Sequence, residues 1–294
     1  MNDLINFKNV LNQDIDLSKY MTEEQVGSVK NARQYLERLA DLISGEGEKG
    51  SETPWAATKG KFVFRPSELT IWSGFKGHGK SLVISQVLEN FIDKGENVFI
   101  VSPEFPPHRV LHRMMMQSLG HKNMRIETAF DWVAAVEDHL WLYDQQSSLR
   151  PLEVLAVCRY AIQELGVKHI LIDSLMKCGI APDDYSGQKK FVDALQNLAH
   201  RNEIHMHLVA HARKGNDDGK IAGLHDISGS ADIANIAENI IFVWRNKSQE
   251  LRDGTGEPNC IVKVEAQRNG SGWIGCIPLF FNKETFTFSE DNHA

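Results

Sequence analysis

A chain of 294 residues suits one large α/β domain with a small appendage better than two equal domains. Its 32 basic and 39 acidic residues give a net charge of −7, which argues against a uniformly basic coat for nucleic acid and leaves room only for a site confined to a few loops. Four scattered cysteines, Cys158, Cys178, Cys260 and Cys276, form no C-x-x-C pair, so free thiols in a reducing compartment are expected and a zinc ribbon is not.

At the start, residues 1–6 lack the basic patch and apolar run of a signal peptide, and no apolar stretch is long enough to cross a bilayer, so no membrane is expected and the compartment is read as cytoplasmic. Residues 22–25, TEEQ, have the form of a capping box, and Val26, Val29, Ala32, Leu36, Leu39 and Ile43 follow at helical spacing; this predicts one amphipathic helix over 23–43. The glycine-rich, charged stretch 45–54 reads as a linker. Residues 1–50 are thus expected as an N-terminal extension and 51–294 as the main domain.

From Phe62 onward, short apolar runs alternate with helical patterns, the mark of a mostly parallel sheet with crossover helices. Strands are predicted over 69–73, 97–102, 169–173, 205–210, 240–244 and 261–264, and helices over 80–94, 107–119, 151–165 and 188–202. The alternating tail, 276–288, reads as a closing hairpin. His205 and His207 are expected on one partly exposed strand face, since no cysteine or carboxylate cluster joins them as metal ligands.

Between the first of these strands and its helix lies SGFKGHGKS, residues 73–81, which fits G-x-x-x-x-G-K-[ST] with Gly74, Gly79, Lys80 and Ser81 in the specified places and Gly77 between them. Glycines let backbone N–H groups turn inward around a phosphate, and the helix N-terminus adds partial positive charge. Lys80 would reach the β and γ phosphates of ATP or another nucleoside triphosphate, and the Ser81 hydroxyl would ligate Mg²⁺. Asp173 ends the strand KHILID, where it would hold the same ion through water. Glu104, also just past a strand end, is placed to polarise an attacking water, and His211 to sense the γ-phosphate. Arg213, Lys214 and Lys220 lie in a polar loop that could grip nucleic-acid phosphates, although Asp217 and Asp218 nearly cancel their charge.

Taken together, the P-loop, the Glu104 turn, ILIDS (170–174), AHARK (210–214), ISGSAD (227–232), IIFVWRN (240–246) and QRNG (267–270) resemble the ring-shaped replicative helicases of the DnaB type. Within that group they look most like the helicase half of phage helicase-primases and Twinkle, over residues 62–288. The resemblance implies a RecA-like P-loop fold with an N-terminal helical extension, and a homo-hexamer that moves 5′ to 3′ on single-stranded DNA. It further implies Glu104 as catalytic base, His211 as γ-phosphate sensor and Arg268 as a finger acting in trans. Arg245 and Phe281 would sandwich the base, and the loop from Arg213 to Ser230, Gly229 included, would line the central channel. A polymerase, primase or loader are further candidate partners, and a phage-encoded copy would work in the host cytoplasm. The chain departs from many relatives at Ala266, where they carry lysine, and at Ser228, where they carry arginine. Two other readings stay open from the residues: a recombination ATPase that binds DNA without unwinding it, and a small-molecule P-loop kinase.

Overall fold

The computed structural model describes residues 29–44, 49–147, 149–213, 220–229, 231–247 and 256–291. Two compact units divide the chain, Met1–Lys49 and Gly50–Ala294. In the first, the Asn31 side chain accepts from the Arg33 N–H at 2.9 Å and so caps a 3-10 turn, Ala32–Tyr35, which runs into helix α1, Leu36–Ser44. The single helix expected over 23–43 is therefore corrected in its described part. Residues 29–31 are not helical, because Asn31 offers the backbone a cap in extended conformation; residues 22–28, with the expected capping box, lie outside the described residues. Leu36, Leu39, Leu42 and Ile43 of this unit are exposed.

The second unit opens with an antiparallel pair, β1 (Ser51–Glu52) and β2 (Val63–Phe64). Nine more strands follow: β3 (Glu68–Ser73), β4 (Val98–Val101), β5 (Leu140–Tyr143), β6 (His169–Ile172), β7 (His205–Val209), β8 (Asn239–Arg245), β9 (Cys260–Gln267), β10 (Gly275–Phe281) and β11 (Phe288–Ser289). Between them run α2 (Lys80–Ile92), α3 (Pro107–Leu119), α4 (Ile126–Val136), α5 (Pro151–Leu165), α6 (Tyr185–Asn202) and α7 (Ala231–Ile236). The nine strands form one sheet in the order β11-β10-β9-β8-β3-β7-β6-β4-β5. From β8 to β5 all neighbours are parallel, whereas β9, β10 and β11 are added by antiparallel pairing.

Strands β3, β4, β6 and β7 are buried along their whole length, which is why they read as unbroken apolar runs. On β3 the pleat sends Trp72 to one face and Ile71 to the other. Trp72 packs with Val83, Ile84 and Phe91 of α2, Met114 of α3 and Trp132 of α4. Ile71 joins Val154 of α5, Phe191 and Leu195 of α6, and Ile233 of α7. Each such side chain contributes roughly 1.5–3 kcal/mol on burial, so the two cores clamp the sheet between helical layers. Because the central strands are parallel, the turns after β3, β4, β6 and β7 all emerge at one end of the sheet.

One expectation fails inside this frame. His205 and His207 are not on a partly exposed face; both are fully buried. Strand β7 lies between β3 and β6, and its outer face is covered by Phe64 and Phe91, whose rings lie 5.1 Å from His205 and 6.2 Å from His207, respectively. Trp72 Nε1 donates to His207 Nδ1 at 3.2 Å, which leaves the His207 proton on Nε2, directed at His169 Nδ1 3.2 Å away. The His169 proton is then on Nε2, 2.9 Å from the Glu96 carboxylate. Burial lowers the pKa of all three imidazoles, that of His205 to about 3, so they are neutral.

Candidate active site

The turn from β3 into α2 is shaped by glycine. Gly74 has φ +141°, and a Cβ there would lie 2.3 Å from the Val243 carbonyl oxygen, so the β8 backbone leaves no space for a side chain. Gly79, at φ +86°, is the residue before the first turn of α2. Lys80 Nζ folds back over this loop and donates to the carbonyls of Gly74 at 2.8 Å and Phe75 at 3.0 Å. Burial lowers its pKa to about 8, against the pull of Asp173 and Glu104. An ammonium held only by carbonyl dipoles is poised to exchange them for phosphate oxygens.

Beside it, Ser81 Oγ donates to Asp173 Oδ2 at 2.6 Å. Asp173 is almost wholly buried, and burial raises its pKa, so its charge calls for a cation. A hydroxyl and a carboxylate are hard oxygen donors of the kind Mg²⁺ takes with phosphate and water, and the pair fits that ion.

Glu104, past the end of β4, meets two partners from neighbouring strands. Ser174 Oγ donates to its Oε1 at 2.9 Å, and His211 Nε2 lies 3.5 Å from the same oxygen. Hydrogen bonding from His211 pulls the Glu104 pKa down to about 2, with Ser174 helping and burial opposing. The second His211 nitrogen, Nδ1, is buried with no hydrogen-bond partner among the described residues.

Three backbone bonds tie these parts together. Ala212 N–H donates to the Gly74 carbonyl at 3.0 Å, and the carbonyl of His211 accepts from Ser228 N–H at 2.7 Å. Ala212 and Ile227 form an isolated antiparallel bridge, and Arg213 N–H donates to Asp226 O at 2.6 Å. The loop that begins at Arg213 is therefore closed at its base beside the P-loop. Arg213 Nη2 also donates to the Gly229 carbonyl at 2.9 Å, and Lys220 is exposed; Lys214 and Ser230 lie outside the described residues.

At the far side of the P-loop the Arg245 guanidinium lies flat on Phe281, 3.7 Å from the ring centroid, and a Cβ on Gly79 would come within 3.1 Å of Arg245 Cδ. Arg268 is not brought to this cluster. It follows β9, which runs antiparallel to β8, so it sits beside Glu238 at the opposite end of the sheet, its N–H on the Glu238 carbonyl and its guanidinium on Asn235 O. One strand length, roughly 20 Å for six residues, separates it from its own P-loop.

Three residues of the neighbourhood carried no motif. Ser174 could have been found from its place after Asp173 at a strand end. Lys247 Nζ lies 3.5 Å from the Lys76 carbonyl and adds positive charge near Lys80. Arg113 of α3 stacks over Phe105, 4.2 Å away, and lines a small pocket with Ser81 and Asp173. The same arginine borders a wider groove, of about 560 Å³, with His108, Arg109, His112, Met116 and Phe286.

A glycine loop between a buried strand and a helix, a Ser–Asp pair for a hard cation, and a carboxylate at the next strand end define a P-loop nucleotide-binding domain of RecA-like fold. More narrowly, the chain belongs to the DnaB-like helicase C-terminal domain family, which matches residues 57–290. It is 23% identical over 289 residues to the Twinkle homolog protein of Arabidopsis thaliana, covering 90% of this chain and 39% of that one. To the replicative DNA helicase DnaB of Geobacillus stearothermophilus it is 24% identical over 238 residues, 75% of this chain and 52% of the relative. The chain thus spans about half the length, or less, of these curated relatives. In fold it is similar to the solved ATPase domain of a phage helicase, with TM-score 0.76 at 14% identity, covering 89% of this chain and 99% of the other. A DnaB-like replicative helicase solved for its interactions with primase gives 0.72 at 13%, over 90% and 69%. No helix among the described residues is long and apolar enough to cross a membrane.

Proposed function

We propose that this chain is the motor of a DnaB-type helicase, which hydrolyses a nucleoside triphosphate and uses the energy to move along single-stranded DNA and part a duplex. The observation that carries the reading is the place of His211: its neighbour Ala212 is bonded to the P-loop at Gly74, and its own carbonyl is bonded to Ser228 at the return of the Arg213–Ser230 loop. A side chain that reads the terminal phosphate is thereby part of the stem that carries the DNA-facing residues, so loss of that phosphate is felt by the loop.

In this reading Lys80 leaves the loop carbonyls for the β and γ phosphates, and Ser81 and Asp173 hold Mg²⁺. The ion supplies charge neutralisation across the β and γ oxygens. Glu104 takes the proton of the attacking water, and His211 turns from Glu104 toward the γ-phosphate. Arg245 opens from Phe281 to admit the base between them. Arg213, Lys214, Lys220, Gly229 and Ser230 track the strand's phosphates.

Arg268 stands a strand length from the P-loop of its own chain, so it serves only the site of a second copy, which supports a closed ring, here a homo-hexamer. The exposed apolar face of α1 would latch that ring together; deletion of residues 1–50 is expected to lower the assembled mass measured by light scattering. The family resemblance supports 5′ to 3′ movement. Because a structural neighbour was solved for its interactions with primase, a primase is the first candidate to test for association. On a forked duplex with particle imaging alongside, strand displacement by ring-shaped particles is expected. DNA-stimulated hydrolysis without displacement would favour the recombination ATPase, and hydrolysis indifferent to DNA would favour the kinase.

A further inference from the structure

Ser174 is wholly buried, yet nothing in the activity proposed above uses it. Its backbone is fixed: the carbonyl accepts from Lys177 N–H at 2.9 Å and from Cys178 Sγ at 3.6 Å, inside the turn that follows β6. Its hydroxyl is therefore a donor at a set position, and it is spent on Oε1 of Glu104 at 2.9 Å. His211 Nε2 stands 3.5 Å from both that oxygen and the Ser174 hydroxyl, so three side chains from three strand ends share one point.

The two donors on Glu104 differ in kind. His211 is placed to leave, since it ends an interior strand next to the loop that moves; Ser174 cannot leave, because the chain on both sides of it is bonded in place. A glutamate carboxylate turns in a broad torsional well, so a single fixed donor on one oxygen is what sets its plane and directs the other oxygen outward. We propose that Ser174 is the positioning residue for the general base: it holds Glu104 through Oε1 when His211 departs, and so presents Oε2 to the water. This assignment rests on the hydrolase reading of the site. In the step it serves, the water proton passes to Oε2, the water oxygen bonds the γ-phosphorus, and the bridging P–O bond breaks with its electron pair going to the diphosphate.

Without the hydroxyl, the resting carboxylate keeps only His211, and it is unrestrained at the moment His211 turns away. Substrate binding, which depends on Lys80 and the loop, is left as it was. Ser174→Ala is expected to lower kcat about tenfold to a hundredfold, with KM within about twofold, since a misaligned general base forfeits part of its catalytic share. In a Glu104→Gln background the same change is expected to have no further effect on the residual rate, because the group it positions is gone. A purely structural role would lower the rate by the same factor in both backgrounds. Ser174→Thr, which keeps a hydroxyl, is expected to stay within about threefold of wild type.

The measurements are steady-state hydrolysis by the full chain with single-stranded DNA, beside thermal unfolding of each variant. Wild-type hydrolysis with an unchanged Ala variant overturns this assignment alone, as does an additive loss in the Glu104→Gln background. Should the Ala variant unfold early, the Thr variant decides: near-normal kcat supports the role, and a loss equal to that of Ala overturns it. A wild-type chain that hydrolyses no nucleoside triphosphate overturns the enclosing reading and this assignment with it.

Discussion

The two ends of the central sheet both bury polar groups, but they hold them differently. At the end where β3 and β8 begin, Glu68 Oε2 accepts from Asn239 at 2.8 Å and its Oε1 from Asn269 at 2.9 Å, while Glu238 accepts from Leu69 N–H at 2.8 Å and Gln196 at 2.7 Å. Each carboxylate oxygen there has a short bond from a neutral or backbone donor, and burial keeps the Glu68 pKa raised. At the other end, Lys80 rests on carbonyls, Ser81 on a would-be metal carboxylate, and His211 at long range on Glu104. A closed network resists change and contributes to stability; an end whose donors have better partners waiting in a substrate is built to exchange them.

Arg268 gives the sharpest way to break that division, because it sits at the closed end yet is assigned to the open end of another copy. Arg268→Ala is expected to cost on the order of a thousandfold in turnover. Lys80→Ala should be equally dead, but a mixture of the two should regain activity, since one copy supplies an intact P-loop and the other the arginine. Separate inactive chains that stay inactive when mixed would show that Arg268 belongs only to its own end. Next in size, Glu104→Gln is expected to lower turnover about a hundredfold while nucleotide binding persists, measured by fluorescent nucleotide titration.

The smallest effect sharpens the comparison from the stability side. His169, His205 and His207 have folded pKa values depressed below 6.5, so the unfolded chain binds more protons and their contribution to stability is present above pH 6.5. It is lost as pH falls from 6.5 toward the folded values; for His205, near 3, the loss reaches about 2 kcal/mol by pH 5. Glu96, Arg65 and Lys168 are the charged groups that face this cluster. Chemical unfolding at pH 7 and pH 5 is the check, and His205→Gln is expected to flatten the difference.

Much of the open end was legible because it is written in contiguous residues. Gly74 to Ser81 carry their own strand and helix, and Asp173, Glu104 and His211 each close a run of apolar residues, so the parallel order alone brings them together. Strand β7 shows the opposite case. Alternation of histidine with Met206 and Leu208 looks half exposed, but an interior parallel strand has no exposed face, and the rings of Phe64 and Phe91 that cover it come from distant sequence. Helix α4 escaped notice because Ile126, Phe130 and Val133 are exposed while Trp132 and Val136 are buried, which leaves apolar residues on both faces and no clear period. Ser174 has no pattern of its own; its meaning is the 2.9 Å to a residue seventy positions away.

The bridge between Ala212 and Ile227 has a consequence for divergence among descendants of this chain. A segment pinned below its midpoint can gain or lose residues at a cost of only about 0.6 kcal/mol for each doubling of length, without disturbing what lies under the pin. New contacts with a nucleic acid can therefore be tried, kept or discarded there while the fuel chemistry beneath remains under separate selection.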